Sequence, residues 1–151
     1  ILYNGIRNVA GDYYDNSGPT YPAVQFQAAG PGAIGNGSLV WTNRIREGMC
    51  RLDFALTFGA TTALGGGAVP VTFSYPVGFP PLVANVSSGT AVVFNAAAGG
   101  LFTGTLFAPN PLGAGFLIHL PQVPGILTPA VPAAFAAGDF IGFCIDYPYI
   151  Q

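Results

Sequence analysis

The chain has no lysine, and only ten of its 151 residues are charged: four Arg, five Asp and one Glu. Soluble domains usually cover themselves with roughly a quarter to a third charged residues, so much of this surface must be neutral or hidden. A net charge of −2 offers no basic field to neutralise phosphates, and nucleic acid is not an expected partner. Long apolar runs are missing as well. None approaches the roughly 18–20 residues that span a bilayer as a helix, and stretches such as Ala96 to Ala98 and Ala133 to Ala137 are mostly alanine, so membrane insertion is not expected. Two cysteines set no disulfide framework. Cys50 and Cys144 read as small buried hydrophobes in apolar-phase strand positions, with a mutual bridge as the alternative. The chain begins at Ile1 without a basic-then-apolar leader, which suits a processed product or a piece of something longer.

What is present points to strands. Hydrophobic residues make up 51%, and 22 Gly and 14 Pro punctuate short runs rich in Val, Ile, Phe, Thr and Tyr. Helical periodicity is almost absent. In Cys50 to Phe58, the residues Cys50, Leu52, Phe54, Leu56 and Phe58 share one phase, and Arg51, Asp53, Ala55 and Thr57 the other. Such period-2 alternation describes a strand with one face on a core. Leu39 to Arg46 precedes it and Glu47-Gly48 supplies the turn, so Leu39 to Phe58 predicts a hairpin. Further strands are predicted at Val24 to Ala28, Val69 to Tyr75, Thr90 to Asn95, Leu101 to Phe107, Phe116 to Leu120 and Phe140 to Tyr147. The expected fold is all-β: an antiparallel, jelly-roll-like β-sandwich of seven to eight short strands with an extended N-terminal arm. The arm is assigned to 1–22 and the sandwich to 23–151. Apolar Gly/Pro-rich loops are expected at Leu64 to Ala68 and Pro121 to Pro132, where a neighbouring copy would cover them.

Chemistry is thinly signalled. The single His119 lies in a predicted strand with no nucleophile motif beside it, and reads as a half-buried strand residue or one of several copies around an axis. Asp53, Asp139 and Asp146 are the carboxylates that glycoside hydrolysis would need. Asp53 has Arg51 on its own face, and Arg44 or Arg46 across the hairpin, so an ion pair accounts for it without catalysis. Asp12, Asp15 and Asn16 lack the spacing of a calcium loop and read as a solvated turn. No catalytic residue, metal or cofactor is assigned, and an enzyme is not expected. The aromatics are the remaining signal: Tyr13, Tyr14, Tyr21, Tyr147 and Tyr149 gather near the two ends of the chain. Exposed Tyr stacks on sugars or anchors interfaces; the competing reading is ordinary core and subunit packing.

The hairpin Trp41-Thr42-Asn43-Arg44-Ile45-Arg46-Glu47-Gly48 and the alternating strand to Phe58 resemble a pattern of bacteriophage tail-fibre and receptor-binding modules. The Gly/Thr-rich stretch Thr61 to Ala68, the short strand to Pro76, the turn Phe79-Pro80-Pro81 and the Gly138-Asp139 opening of a final strand to Tyr147 continue it. The similarity covers Asn36 to Ile150 and departs from the family in the long apolar stretch Pro121 to Ala137. The resemblance implies a homotrimeric virion protein that contacts other virion proteins and, through its aromatics, a host-surface glycan. A capsid decoration protein is the alternative, with the segment Ile1 to Tyr21 reaching onto neighbouring subunits. A glycan-degrading tailspike is disfavoured, because such enzymes are much longer.

Overall fold

A computed structural model describes residues 5–7, 13–15, 26–27, 32–46, 48–75, 81–82, 88–107, 115–123 and 125–149. The chain is all-β. Strands run over Gly5–Arg7 (β1), Tyr13–Asp15 (β2), Phe26–Gln27 (β3), Ser38–Arg46 (β4), Met49–Thr57 (β5) and Thr72–Phe73 (β6). They continue over Ser88–Asn95 (β7), Gly100–Phe107 (β8), Leu117–Leu120 (β9), Gly125–Ile126 (β10) and Phe140–Pro148 (β11). A nine-stranded sheet has the order β1-β2-β4-β5-β11-β7-β8-β9-β10, and β3 pairs with β6. Every described pairing is antiparallel.

The period-2 pattern decides which face is buried. Cys50, Leu52, Phe54 and Leu56 of β5 are buried, as are Ile141, Phe143, Ile145 and Tyr147 of β11, which lies beside it. Leu39 and Trp41 of β4, Ala91 and Val93 of β7, and Leu106 of β8 join them. Far along the sheet the chain folds back over this face. Phe73 and Phe116 exchange backbone hydrogen bonds of 2.9 and 2.8 Å, and Val71 N–H donates to the Leu127 carbonyl at 2.9 Å. The ring of Phe73 meets Phe54 edge-on at 5.6 Å and Phe143 at 5.1 Å, while Phe54 and Phe143 stack at 4.5 Å. Two layers thus enclose one aromatic core, a sandwich-like arrangement. The last strand is its centre: β11 is inserted between β5 and β7 and is paired along both edges.

Three details differ from the sequence reading. The stretch 121–132, expected as a loop, holds β10 and buries Leu127 completely. Pro and Gly mask a strand only two residues long. Leu64, in the other expected loop, is likewise buried, whereas 66–69 are exposed. Cys144 is not in the apolar phase: the buried residues of β11 are odd-numbered, so its thiol lies on the opposite, half-exposed face. Cys50 points into the core, and the two cysteines are free. Opposite faces of one sheet put a bridge out of reach. Within the segment assigned to the N-terminal arm, β1 and β2 pair with each other and β2 pairs with β4.

Candidate functional site

The outward face of the central sheet is the most organised surface of the molecule. Registers of the four central pairings align its outward residues into cross-strand rows. The first row reads Ser38, Thr57, Phe140, Phe94, Leu101 from β4 to β8, and the second Val40, Ala55, Gly142, Val92, Thr103. The third is Thr42, Asp53, Cys144, Thr90, Thr105, ending on His119 of β9. The fourth is Arg44, Arg51, Asp146, Ser88. Polarity therefore changes along the strands: two rows are mainly apolar, one is neutral with a single Asp, and the last is charged.

The apolar rows are open to solvent. Leu101 is 66% exposed, Val40 61%, Phe94 38% and Val92 37%, and the first and third figures belong to directly opposed residues on β7 and β8. Gly142 has a specific role there. A Cβ at 142 would come within 2.6 Å of the Phe140 ring, so the glycine lets that ring lie flat across the sheet, as aromatic rings do over strand glycines. This apolar area is what the sequence reading missed. The sequence places the coverable apolar surface in the loops Leu64 to Ala68 and Pro121 to Pro132, but β7 and β8 expose Phe94, Val92 and Leu101. The signal was available: Val92, Phe94 and Leu101 are apolar in the phase opposite to the buried Ala91, Val93 and Leu106.

At the charged end, Arg51 Nε lies 3.3 Å from Asp53 Oδ1 and donates a hydrogen bond to it, and Arg51 Nη1 lies 3.8 Å from Asp146 Oδ2 across the strands. All three side chains are nearly half exposed, so these pairs are worth about 0–1 kcal/mol each. Arg44 stands directly opposite Arg51, a like-charge juxtaposition that the two carboxylates offset. Burial, followed by the hydrogen bond and negative charge of Asp53, pushes the Cys144 thiol up to about 11; burial likewise pushes Cys50 up to about 11. Both thiols are protonated at neutral pH and are poor nucleophiles.

The other carboxylate is structural. Asp139 is buried and accepts the N–H of Ala96 at 2.9 Å and of Ala136 at 2.8 Å. Asn95 beside it donates from Nδ2 to the Ala133 carbonyl at 3.1 Å and accepts the Ala98 N–H at 2.8 Å. Together they fasten the β7–β8 turn to the loop 133–138. His119 is exposed on β9, four strands from Asp53 in the same row, a separation of about 19 Å that excludes a shared proton. Among the described residues no three His, Cys, Asp or Glu gather as metal ligands do. A cavity of about 190 Å³ lies under the loops at the apolar end, against Phe58, Thr62, Leu64, Pro129 and Phe135. Its one hydroxyl, on Thr62, accepts the Gly59 N–H and donates to the Ile34 carbonyl.

Of the five tyrosines, Tyr147 and Tyr149 have described side chains. Tyr147 is fully buried, its ring edge-on to Tyr75 at 4.7 Å, so it packs the core. Tyr149 is half-buried against that core and its N–H donates to the Gly48 carbonyl at 3.1 Å. Tyr13 and Tyr14 lie on β2, in register with Ile45 and Arg44, which places their backbone at the charged end. Tyr21 lies outside the described residues. The chain matches no protein-family model, no curated protein and no solved structure at a significant level.

Proposed function

We propose that the chain is a structural module of a bacteriophage virion, a homotrimeric tail-fibre or receptor-binding domain that mediates attachment to the host surface. The observation that carries the self-associating part of this reading is the outward sheet face, where Leu101, Val40, Phe94 and Val92 lie open in adjacent rows. Contiguous apolar area of this kind on a charge-poor domain marks a contact surface more often than a solvated one. The virion part rests on the pattern shared with tail-fibre modules over Asn36 to Ile150. A capsid decoration protein would use the N-terminal segment to grip neighbours; the pairing of β2 with the chain's own β4 favours the fibre reading over that one. Light scattering at micromolar concentration tests self-association: a trimer is expected, and a monodisperse monomer refutes it. Antibody labelling of intact particles tests the location, with label at the fibre or tail expected and label spread over the shell supporting decoration instead.

A further inference from the structure

We propose that the outward face of β4-β5-β11-β7-β8 is the surface through which copies of this chain assemble, packed about a rotation axis that runs along the strands. The inference rests on the self-associating reading above and names the surface it uses. Three observations carry it.

The first is size. Five strands with about 4.8 Å between neighbours and eight residues of about 3.3 Å each give a face of roughly 24 by 26 Å, on the order of 600 Å². A stable interface covers about 800 Å² per partner, so this face with its margins is of the scale that a durable contact requires.

The second is charge balance. The face carries Arg44 and Arg51 against Asp53 and Asp146, two charges of each sign. A strongly acidic or basic partner gains nothing from such a surface. A second copy brings its own two Arg and two Asp, and matches it.

The third is the order of the rows. Rotation about an axis parallel to the strands keeps every residue at its own height along them. Each row of one copy then meets the same rows of the next. Phe94, Leu101, Val92 and Val40 close on one another as an apolar layer, and Arg44, Arg51, Asp53 and Asp146 meet their counterparts as a balanced charged layer. An axis perpendicular to the strands in the plane of the face keeps each strand over itself and inverts the row order, setting Arg44 over Ser38, Arg51 over Thr57 and Asp146 over Phe140. The charged row then loses water against the first row and gains no charged partner there, which is unfavourable. The row order thus selects the axis direction.

Cys144 is a built-in reporter, since its half-exposed thiol lies in the third row of this face while Cys50 is in the core. The test combines light scattering with the rate of maleimide labelling at fixed pH, in the full chain and in Leu101→Glu. Wild type is expected to be assembled with Cys144 protected. Leu101→Glu is expected to weaken association at least 100-fold and to label Cys144 at least ten-fold faster, with an unchanged circular dichroism spectrum. Val40→Glu, on the opposite margin of the face, gives the same readout should Leu101→Glu not fold. A monomeric wild type overturns self-association and this proposal together. An assembled wild type whose association and labelling rate are unmoved by Leu101→Glu and Val40→Glu overturns this surface alone and leaves self-association standing.

Discussion

Replacing Asp139 with alanine is expected to be the most damaging change of a charged residue in this protein, although Asp139 takes no part in any ion pair described. Its carboxylate is 1% exposed and accepts two backbone N–H groups, from Ala96 at 2.9 Å and Ala136 at 2.8 Å. Hydrogen bonds to a charged acceptor contribute about 1.5–3 kcal/mol each, and truncation strands both donors. Ala96 and Ala136 are exposed residues, so entering water recovers part of this loss, and about 2–4 kcal/mol remains. For a domain of this size each kcal/mol moves Tm by about 2–4 °C, which places Asp139→Ala roughly 5–15 °C below wild type. Asp139→Asn keeps one acceptor oxygen and turns an NH2 toward the other donor, so about half the loss is expected. Urea unfolding at fixed protein concentration, followed by the fluorescence of the single, buried Trp41, measures both. Asn95→Ala detaches the same loop from its other side, so the double variant is expected to lose less than the sum of the two singles. An Asp139→Ala protein within about 0.5 kcal/mol of wild type, or strict additivity with Asn95→Ala, would refute the reasoning, because surface changes without such a role fall in that range.

Gly35 sits at φ +57°, where an added Cβ would run into the carbonyl and hydroxyl of Thr61; Gly35→Ala is expected to cost about 2–4 kcal/mol by thermal melting. Gly99→Ala, at φ +91° with open space around it, is expected to cost only about 1–2 kcal/mol. The folded thiol of Cys50 titrates at about 11 against an ordinary value of 9.0, so its contribution is fully present below pH 9 and is lost as pH rises through 11. About 2–3 kcal/mol is at stake, and the loss of stability across that window, read from urea midpoints, is expected to be smaller in Cys50→Ala. Arg51→Ala, on pairs nearly half exposed, is expected to cost less than about 1 kcal/mol, and less again in high salt.

Alternation made the longer strands legible from the sequence. In β5 and β11 every second residue is buried, and the inward phase of each matches the apolar phase read from the chain. That signal depends on length. β10 has two residues, too few for a period to register, and beside it Leu127 is held by its backbone bond to the Ile118 carbonyl, which no local pattern encodes. Cys144 was misassigned because cysteine packs as a hydrophobe; it lies outward because register, and not hydropathy, determines its face. Asp139 read as the opening residue of a strand. Its function as a clamp requires Ala96, 43 residues away, and only the adjacency of β7 and β11 brings the two together.

The scarcity of charge is also unevenly placed. Arg44, Arg51, Asp53 and Asp146 occupy the third and fourth rows, and backbone register sets Arg7 and Asp15 two strands and one strand beyond β4 at that end. At the opposite end, the turns and loops 32–37, 58–70, 96–99 and 128–138 hold no charged residue, and Asp139 beside them is buried. Their polar side chains bond within the chain. Asn36 and Thr61 exchange hydrogen bonds of 2.9 to 3.0 Å, Thr62 bonds to Gly59 and Ile34, and Asn95 and Asp139 bind the 133–138 loop. A surface whose polar side chains are already paired has less left for water, so covering it removes few side-chain hydrogen bonds and gains the release of water from apolar area. That uncharged end is continuous with the first two rows of the outward face through Ser38, Thr57, Phe140 and Leu101. A contact that begins on those rows and grows toward the loops encounters no charge, whereas one that grows toward Arg44 meets a layer that only a balanced partner can satisfy.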